Sequence, residues 1–581
     1  MNEKVHDVAI IGGGIGGSIT AAILARNGVD VLLAEGTPHP RFTIGESTTP
    51  ETSLSLRLLA TRYGVPELGN LSTYSNVQKI APTSGVKRNF CYVGHHIGER
   101  ARPHECAQFP TFPQPLGPDM HYFRQDIDAY LFQVAVKYGA TAKNGTLIED
   151  VEFHDDLVQL RAADGSTFLA RYVVDAGGRN ALIPTKLGLR DAEPRFQTKT
   201  RTIFTHMLGV LPWEAVGPKK EDHGMPSPFS EGTLHHFFKG GWIWIIPFNN
   251  HPQSVNPLCS IGINLDIDSY PIHPGISAEQ EFWGIIKNYP SIADQLRQAR
   301  AVRPFVSTGR TQFSSKKIVG TRFCLLPHAA EFVDPLYSTG MAITVNCINA
   351  LAHRLIEAAR SGDYNTERFR YIEEWTKKSF DVADDTIWCT YESFSDFRLF
   401  NAVLKMFAIQ QFYTTTSPLE TWARYLRTGN REVFSRMEEH PRRGAQCADF
   451  PEIREMVTSI TKEISTYKFG DQDCADLTSA IYRHIATCSD LVPPFLKILD
   501  PDSRLPIGRV TIPQIFRFLF WFNFQAPNHV RKQHVTMQAM PLIIKEVVQS
   551  WGHQVQQAGN AIWPHLRDYV ATWNRDWKRS M

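Results

Sequence analysis

Gly12, Gly14 and Gly17 form a G-x-G-x-x-G pattern, and Glu35 follows Gly17 by eighteen positions. Each part suits a dinucleotide: the first glycine makes a tight turn, the second lets backbone approach a pyrophosphate, and the third lets helix pack on strand. The helix start offers free N–H groups and positive potential to the phosphates. Glu35 suits ribose hydroxyls and disfavours a 2′-phosphate. NAD and FAD share this pattern. The nine Cys, spread from Cys91 to Cys488, include no C-x-x-C pair, so a disulfide framework or zinc cluster is not expected. His206, His235, His236 and His251 have no Cys or carboxylate at ligand spacing, so packed or hydrogen-bonded imidazoles are expected and no metal.

The elements that must carry the glycines are legible around them. Asp7 to Ile11 is a short apolar run, Ile19 to Leu24 is helical in character and closes at Asn27-Gly28, and Val29 to Ala34 reads as a buried parallel strand. This is a βαβ unit over residues 5–35. Tyr172 to Val174 runs into Asp175-Ala176-Gly177-Gly178, and the Cys324 to His328 segment leads to Asp334-Pro335-Leu336. Three strand ends converging on one extended cofactor favour FAD. Further apolar runs, Trp242 to Ile246 and Leu258 to Ile263, predict a sheet on the substrate side at about residues 195–310. Ile343 to Arg360, Thr366 to Lys377 and Leu399 to Phe412 carry apolar residues at helical spacing. The expected fold is α/β, with a Rossmann-type FAD-binding core over residues 1–390 and a mainly helical region over 391–581. Glu438 to Asp449 is the expected linker, Val492-Pro493-Pro494 a second break, and Phe516 to Phe524 a buried aromatic segment of the C-terminal core, with a lid over an aromatic ligand or a dimer contact as the alternatives.

The whole chain narrows the classes further. Its 581 residues carry 61 basic and 59 acidic side chains, a formal charge of +2, which supplies no positive field for nucleic acid. No run of about 18 apolar residues and no apolar signal core occur, so a cytoplasmic protein with no membrane partner is expected.

Four segments together resemble one family: the glycine motif, Arg41-Phe42-Thr43-Ile44-Gly45-Glu46-Ser47, the W-x-W-x-I-P hexapeptide Trp242 to Pro247, and Phe332 to Gly340. The combination resembles the flavin-dependent halogenases over residues 5–410. His39 to Phe42, Leu56 to Leu59, Phe123 to Asp126, Phe204 to Met207, Leu234 to His236 and Ile246 to Pro252 are similar to the branch that acts on phenols. In the tryptophan-specific branch a Glu precedes the Ser-Thr-Gly triplet, whereas here Tyr337 stands there.

The resemblance implies a p-hydroxybenzoate-hydroxylase-like fold, reduced FAD from a separate NADH-dependent flavin reductase, O2, and chloride or bromide. It also implies a flavin C4a-hydroperoxide, from which halide takes oxygen to give hypohalous acid, and a lysine that presents the halogen to an electron-rich, polyketide-derived phenol in antibiotic biosynthesis. Lys87, in Ser84-Gly85-Val86-Lys87, matches the family's Gly-x-Lys pattern; Lys79 is its rival. Trp242, Trp244 and Pro247 are implied to separate flavin from substrate, Ser338, Thr339 and Gly340 to meet flavin and halide, and Arg41, Ser47, Arg124 and Asp334 to contact flavin. A flavoprotein aromatic hydroxylase of related fold is the alternative, and a redox-inactive flavin-binding protein is the third reading. A carrier-bound substrate is less favoured than a free one. Residues 444–581 acquire no role.

Overall fold

The computed structural model describes residues 4–112, 116–439, 450–467, 469, 474–508, 511–533 and 545. Val5–Ile11, apolar and buried from Val8 onward, forms an inner strand of a mixed sheet, flanked in parallel by Thr167–Asp175 on one side and Val31–Glu35 on the other. Phe323–Leu325 extends one edge in parallel beside Thr167–Asp175, and Thr141–Asn144 extends the other beside Val31–Glu35. The strand ends at Ile11, Glu35, Asp175 and Leu325 therefore lie along one edge, as three of the expected segments require. Helix Ile15–Arg26 buries Ile19, Ala22 and Ile23 between this sheet and helices Arg124–Lys137 and Gly340–Ser361.

A second sheet carries Thr200–Leu208, Cys259–Asp266, Gly241–Pro247 and Gly232–Phe238 in spatial order. Two strands from earlier in the chain, Asn89–Gly94 and Cys106–Pro110, complete its far edge. The stretch expected at 195–310 is thus a sheet, and it is wider than the sequence indicated. A two-stranded ribbon, Gly85–Lys87 against Asp119–His121, sits beside it.

The helices Gly340–Ser361, Arg370–Ser393 and Phe397–Thr428 cover the three apolar segments expected to be helical. The last of them belongs to two cores. Phe400, Leu404 and Phe407 join the main core around the sheets, while Val403, Met406 and Tyr413 join a helical core with Ile453, Ile460, Ile481 and Leu54. The aromatic segment corrects the expectation of full burial. In helix Ile512–Phe520 and the turn Trp521–Gln525, Leu519, Trp521 and Phe522 are buried, but Phe516, Phe520 and Phe524, at i, i+4 and i+8, line an exposed face. Most of the expected linker, residues 440–449, lies outside the described residues, while Val492-Pro493-Pro494 separates two helical stretches. No helix among the described residues is long and apolar enough to cross a membrane.

Candidate active site

The glycine turn is shaped for close approach. Gly12 has φ 101°, and a Cβ on Gly17 would lie 1.9 Å from the Gly12 carbonyl oxygen, so neither position accepts a side chain. Gly14 faces Arg41, whose Nη2 would stand 3.2 Å from an added Cβ. Glu35 accepts from the Gly13 N–H at 2.8 Å, from the Thr37 N–H at 3.0 Å and from Arg41 at 3.0 Å. Arg124 forks onto Asp128 at 2.7 and 3.0 Å and donates to the carbonyls of Ile44 and Gly45, which ties the Arg41-to-Ser47 segment to helix Arg124–Lys137, the neighbour of the glycine helix. Arg41 Nε is buried without a partner. A glycine turn that no side chain can enter, a helix start with free N–H groups and an orphaned guanidinium nitrogen beside it fit the pyrophosphate of FAD, with Gly12, Gly14, Gly17, Glu35, Arg41 and Arg124 as its setting.

On the second sheet, Trp242 and Trp244 stand on one face of Gly241–Pro247, two residues apart, with ring centres 6.0 Å from each other. Trp244 donates to Ser260 Oγ at 3.2 Å, and its ring would lie 2.1 Å from a Cβ on Gly262, so that glycine makes room for the indole. Trp242 donates to the Tyr391 hydroxyl at 2.9 Å, and Tyr391 in turn donates to Asp334 at 3.1 Å. Burial pushes the Asp334 carboxyl up to about 6, against the hydrogen bonds from the Leu336 N–H, Thr200 and Tyr391. Beyond Asp334 the chain turns sharply: Tyr337 and Ser338 have φ 69° and 58°, conformations that non-glycine residues seldom adopt, and helix Gly340–Ser361 begins immediately after. The Tyr337 ring is stacked 3.8 Å above Phe407, and its hydroxyl pairs with Thr390, which holds the turn in place. Thr339 precedes the helix but makes no side-chain cap to it. A Cβ on Gly340 would lie 2.7 Å from His328 Nε2, so the glycine gives that imidazole its room.

Lys87 is a fully buried lysine. Its ribbon strand buries it completely, and Nζ donates to Ser47 Oγ at 2.7 Å and to the Thr48 carbonyl at 2.7 Å while lying 3.4 Å over the Phe90 ring. Burial pushes its ammonium well below the usual lysine range, opposed by the charge of Asp119. Ser47 also pairs with Thr233 at 2.8 Å, and Thr233 with His121 Nε2 at 3.0 Å, whose Nδ1 meets the Pro247 carbonyl at 3.0 Å. One chain of hydrogen bonds thus runs from the lysine to the last residue of the tryptophan hexapeptide. Lys79, by contrast, is exposed at the end of helix Tyr74–Ile80.

The structure brings Lys87, Ser47 and Pro247 into one network and holds Asp334 with Trp242 through Tyr391. Gly12, Gly14, Glu35, Arg41 and Arg124 gather at the glycine turn. Ser47 meets the lysine directly. Sequence reasoning did not assign Thr48, Asp119, His121, Thr233 or Tyr391. It did quote Glu46, which pairs with His206 at 2.8 Å and accepts from Ser260 at 2.9 Å, and so braces the Trp244 partner. The remaining histidines follow the expectation of packed or hydrogen-bonded rings: His235 bonds the Cys91 carbonyl, His236 bonds Gln295, and His251 packs edge-on to Tyr74. Among the described residues no group of three His, Cys, Asp or Glu could hold a metal.

A glycine cradle at the parallel strand ends of one sheet, paired indoles on a second sheet and a buried lysine on the ribbon beside it together define an FAD-dependent oxidative enzyme. The chain belongs to the tryptophan halogenase family, whose model matches residues 7–67 and 97–396. It is 39% identical to the monodechloroaminopyrrolnitrin halogenase PrnC of Pseudomonas fluorescens over 90% of this chain and 93% of that one. It is also 39% identical to the tetracycline 7-halogenase of Kitasatospora aureofaciens over 86% of this chain and 90% of that one. The crystal structure of halogenase PltM with phloroglucinol and FAD superposes with a TM-score of 0.83 at 31% identity, covering 86% of this chain and 99% of that one. The protein is therefore a flavin-dependent halogenase that uses FADH2, halide and O2. The family match passes over residues 68–96, the stretch that holds Lys87, so the lysine's standing rests on its own geometry.

Proposed function

We propose that this enzyme chlorinates or brominates an electron-rich phenolic ring through Lys87. The observation that carries the reading is the buried Nζ, fixed on Ser47 and Thr48 and tied through Thr233 and His121 to Pro247 of the indole strand. Bound FAD, reduced by a separate NADH-dependent reductase, supplies with O2 and halide the hypohalous acid. Arg41, Glu35 and the glycine turn bind and orient the dinucleotide. Ser338, Thr339 and Gly340 offer hydroxyl and amide donors for halide and flavin at a helix start. Trp242 and Trp244 fill the space between flavin and ring, which stops direct oxygen transfer. Burial makes the Lys87 amine easier to free of its proton, and a lone pair on nitrogen is what an electrophilic halogen requires.

The phenol reading draws on the superposition with a phloroglucinol-binding halogenase and on the relative named for tetracycline. PrnC, equally similar, is named for an aminopyrrolnitrin, so an arylpyrrole is the second substrate reading. A free small molecule is favoured over a carrier-bound one. Replacing Lys87 by Ala should abolish halogenation while leaving FAD binding and NADH-driven hydrogen peroxide release intact. Halogenation that persists in K87A overturns the lysine step.

A further inference from the structure

Lys87 and Asp119 are direct cross-strand partners in the antiparallel ribbon, so their side chains rise from the same face with Cβ atoms about 5 Å apart. Asp119 is buried, and Ser53 Oγ donates to its Oδ1 at 2.5 Å. Its Oδ2 is buried with no hydrogen-bond partner, although Lys87 stands on the same face and directs two of its three donors to Ser47 and Thr48. A buried carboxylate oxygen without a donor is costly, and the fold keeps it beside the lysine. Oδ1 is anchored by helix Pro50–Tyr63, so Oδ2 is held in a fixed place.

From this geometry we propose that Asp119 Oδ2 is the docking point for the substrate hydroxyl and sets the halogen ortho to it. The inference rests on reading Lys87 as the residue that presents the halogen. The phenol O–H donates to Oδ2 and passes its proton there as the ring attacks. A carbon–halogen bond forms while the nitrogen–halogen or oxygen–halogen bond breaks. The ring C–H proton ends on the departing nitrogen or oxygen, and Asp119 returns its proton to the phenolic oxygen. Atoms and charge balance with hypohalous acid as the oxidant.

Burial raises the Asp119 carboxyl above its usual range, opposed by Ser53, Lys87 and Arg57, which keeps it basic enough to hold a phenolic proton. The groups facing the pair are Arg57, Cys91, His121, Tyr122 and His235, and burial holds both imidazoles neutral near pH 7.

The test uses the FAD-loaded enzyme with 4-nitrophenol and 4-nitroanisole, read by calorimetry and by the colour change of nitrophenol ionisation. Wild type should prefer the phenol by at least about tenfold, and Asp119→Leu should reduce the preference to about twofold. Bound nitrophenol should ionise at a higher pH than free nitrophenol in wild type, and this shift should vanish in Asp119→Asn, which keeps the shape if the Leu variant does not hold FAD. An unchanged preference or an unshifted ionisation overturns the role of Asp119. K87A should keep the preference while losing halogenation, so the two readings fail separately: halogenation in K87A sinks the lysine step, and preference in D119L sinks the docking step.

Discussion

At the residue scale the site is a set of buried polar groups held by a few partners each, and this makes its titration unusual. Glu51, at the start of helix Pro50–Tyr63, is buried where desolvation pushes its carboxyl up to about 8, opposed by Thr414 and Asn346. Its folded value lies above the unfolded one, near 4.5, so the unfolded chain releases the proton first and stability falls as pH rises from about 4.5 to about 8. Glu51→Gln removes this penalty. Thermal melts should show E51Q gaining over wild type at pH 8.5 and little difference at pH 4.5; an equal gain at both would contradict the assignment. The glycine turn and Glu35 were legible from sequence because each type has one task in a dinucleotide cradle, whereas the two tryptophans and Lys87 were singled out only through the family resemblance. Asp119, Thr233 and His121 were not, because their significance comes from which strands pair, and nothing in the local pattern encodes that Lys87 faces Asp119.

At the element scale the site depends on two backbone approaches that a single methyl would block. Gly17→Ala places a Cβ against the Gly12 carbonyl and should weaken FAD binding by more than tenfold in a flavin titration, with the rest of the fold retained. Gly262→Ala drives a Cβ into the Trp244 ring and displaces the indole. Its expected signature is uncoupling: hydrogen peroxide release rises at the expense of halogenated product, and FAD still binds. A variant with unchanged product yield would mean that Trp244 does not wall the flavin from the ring. The βαβ unit and the long helices were legible because their apolar periodicity is strong. Strand Cys106–Pro110 was missed because it is short, and the pairing of Asn89–Gly94 with the second sheet was not legible because it joins that sheet from a distant part of the chain.

At the scale of the whole molecule, helix Phe397–Thr428 links the oxidative core to the helical remainder. Phe407 is fully buried, and its ring supports Tyr337 in the strained turn before Ser338. Phe407→Ala should cost roughly 3–5 kcal/mol of stability by the usual cavity penalty, and it should also weaken halide-dependent turnover more than FAD binding. Equal loss of both would separate the turn from halide use. The two-core arrangement was only partly legible: the change to helical texture marks the C-terminal region, but a division near residue 390 gives no hint that one helix serves both cores.

The central claim is that this chain halogenates a phenol. The most direct measurement is mass spectrometry of a panel containing phloroglucinol, larger phenols and an aminophenylpyrrole, incubated with enzyme, FAD, a flavin reductase, NADH, O2 and chloride or bromide. A halide-dependent mass shift with the matching isotope pattern on a phenol is the expected result. A one-oxygen shift indifferent to halide would contradict the account and make the enzyme a hydroxylase, while product on the arylpyrrole alone would move the substrate away from phenols.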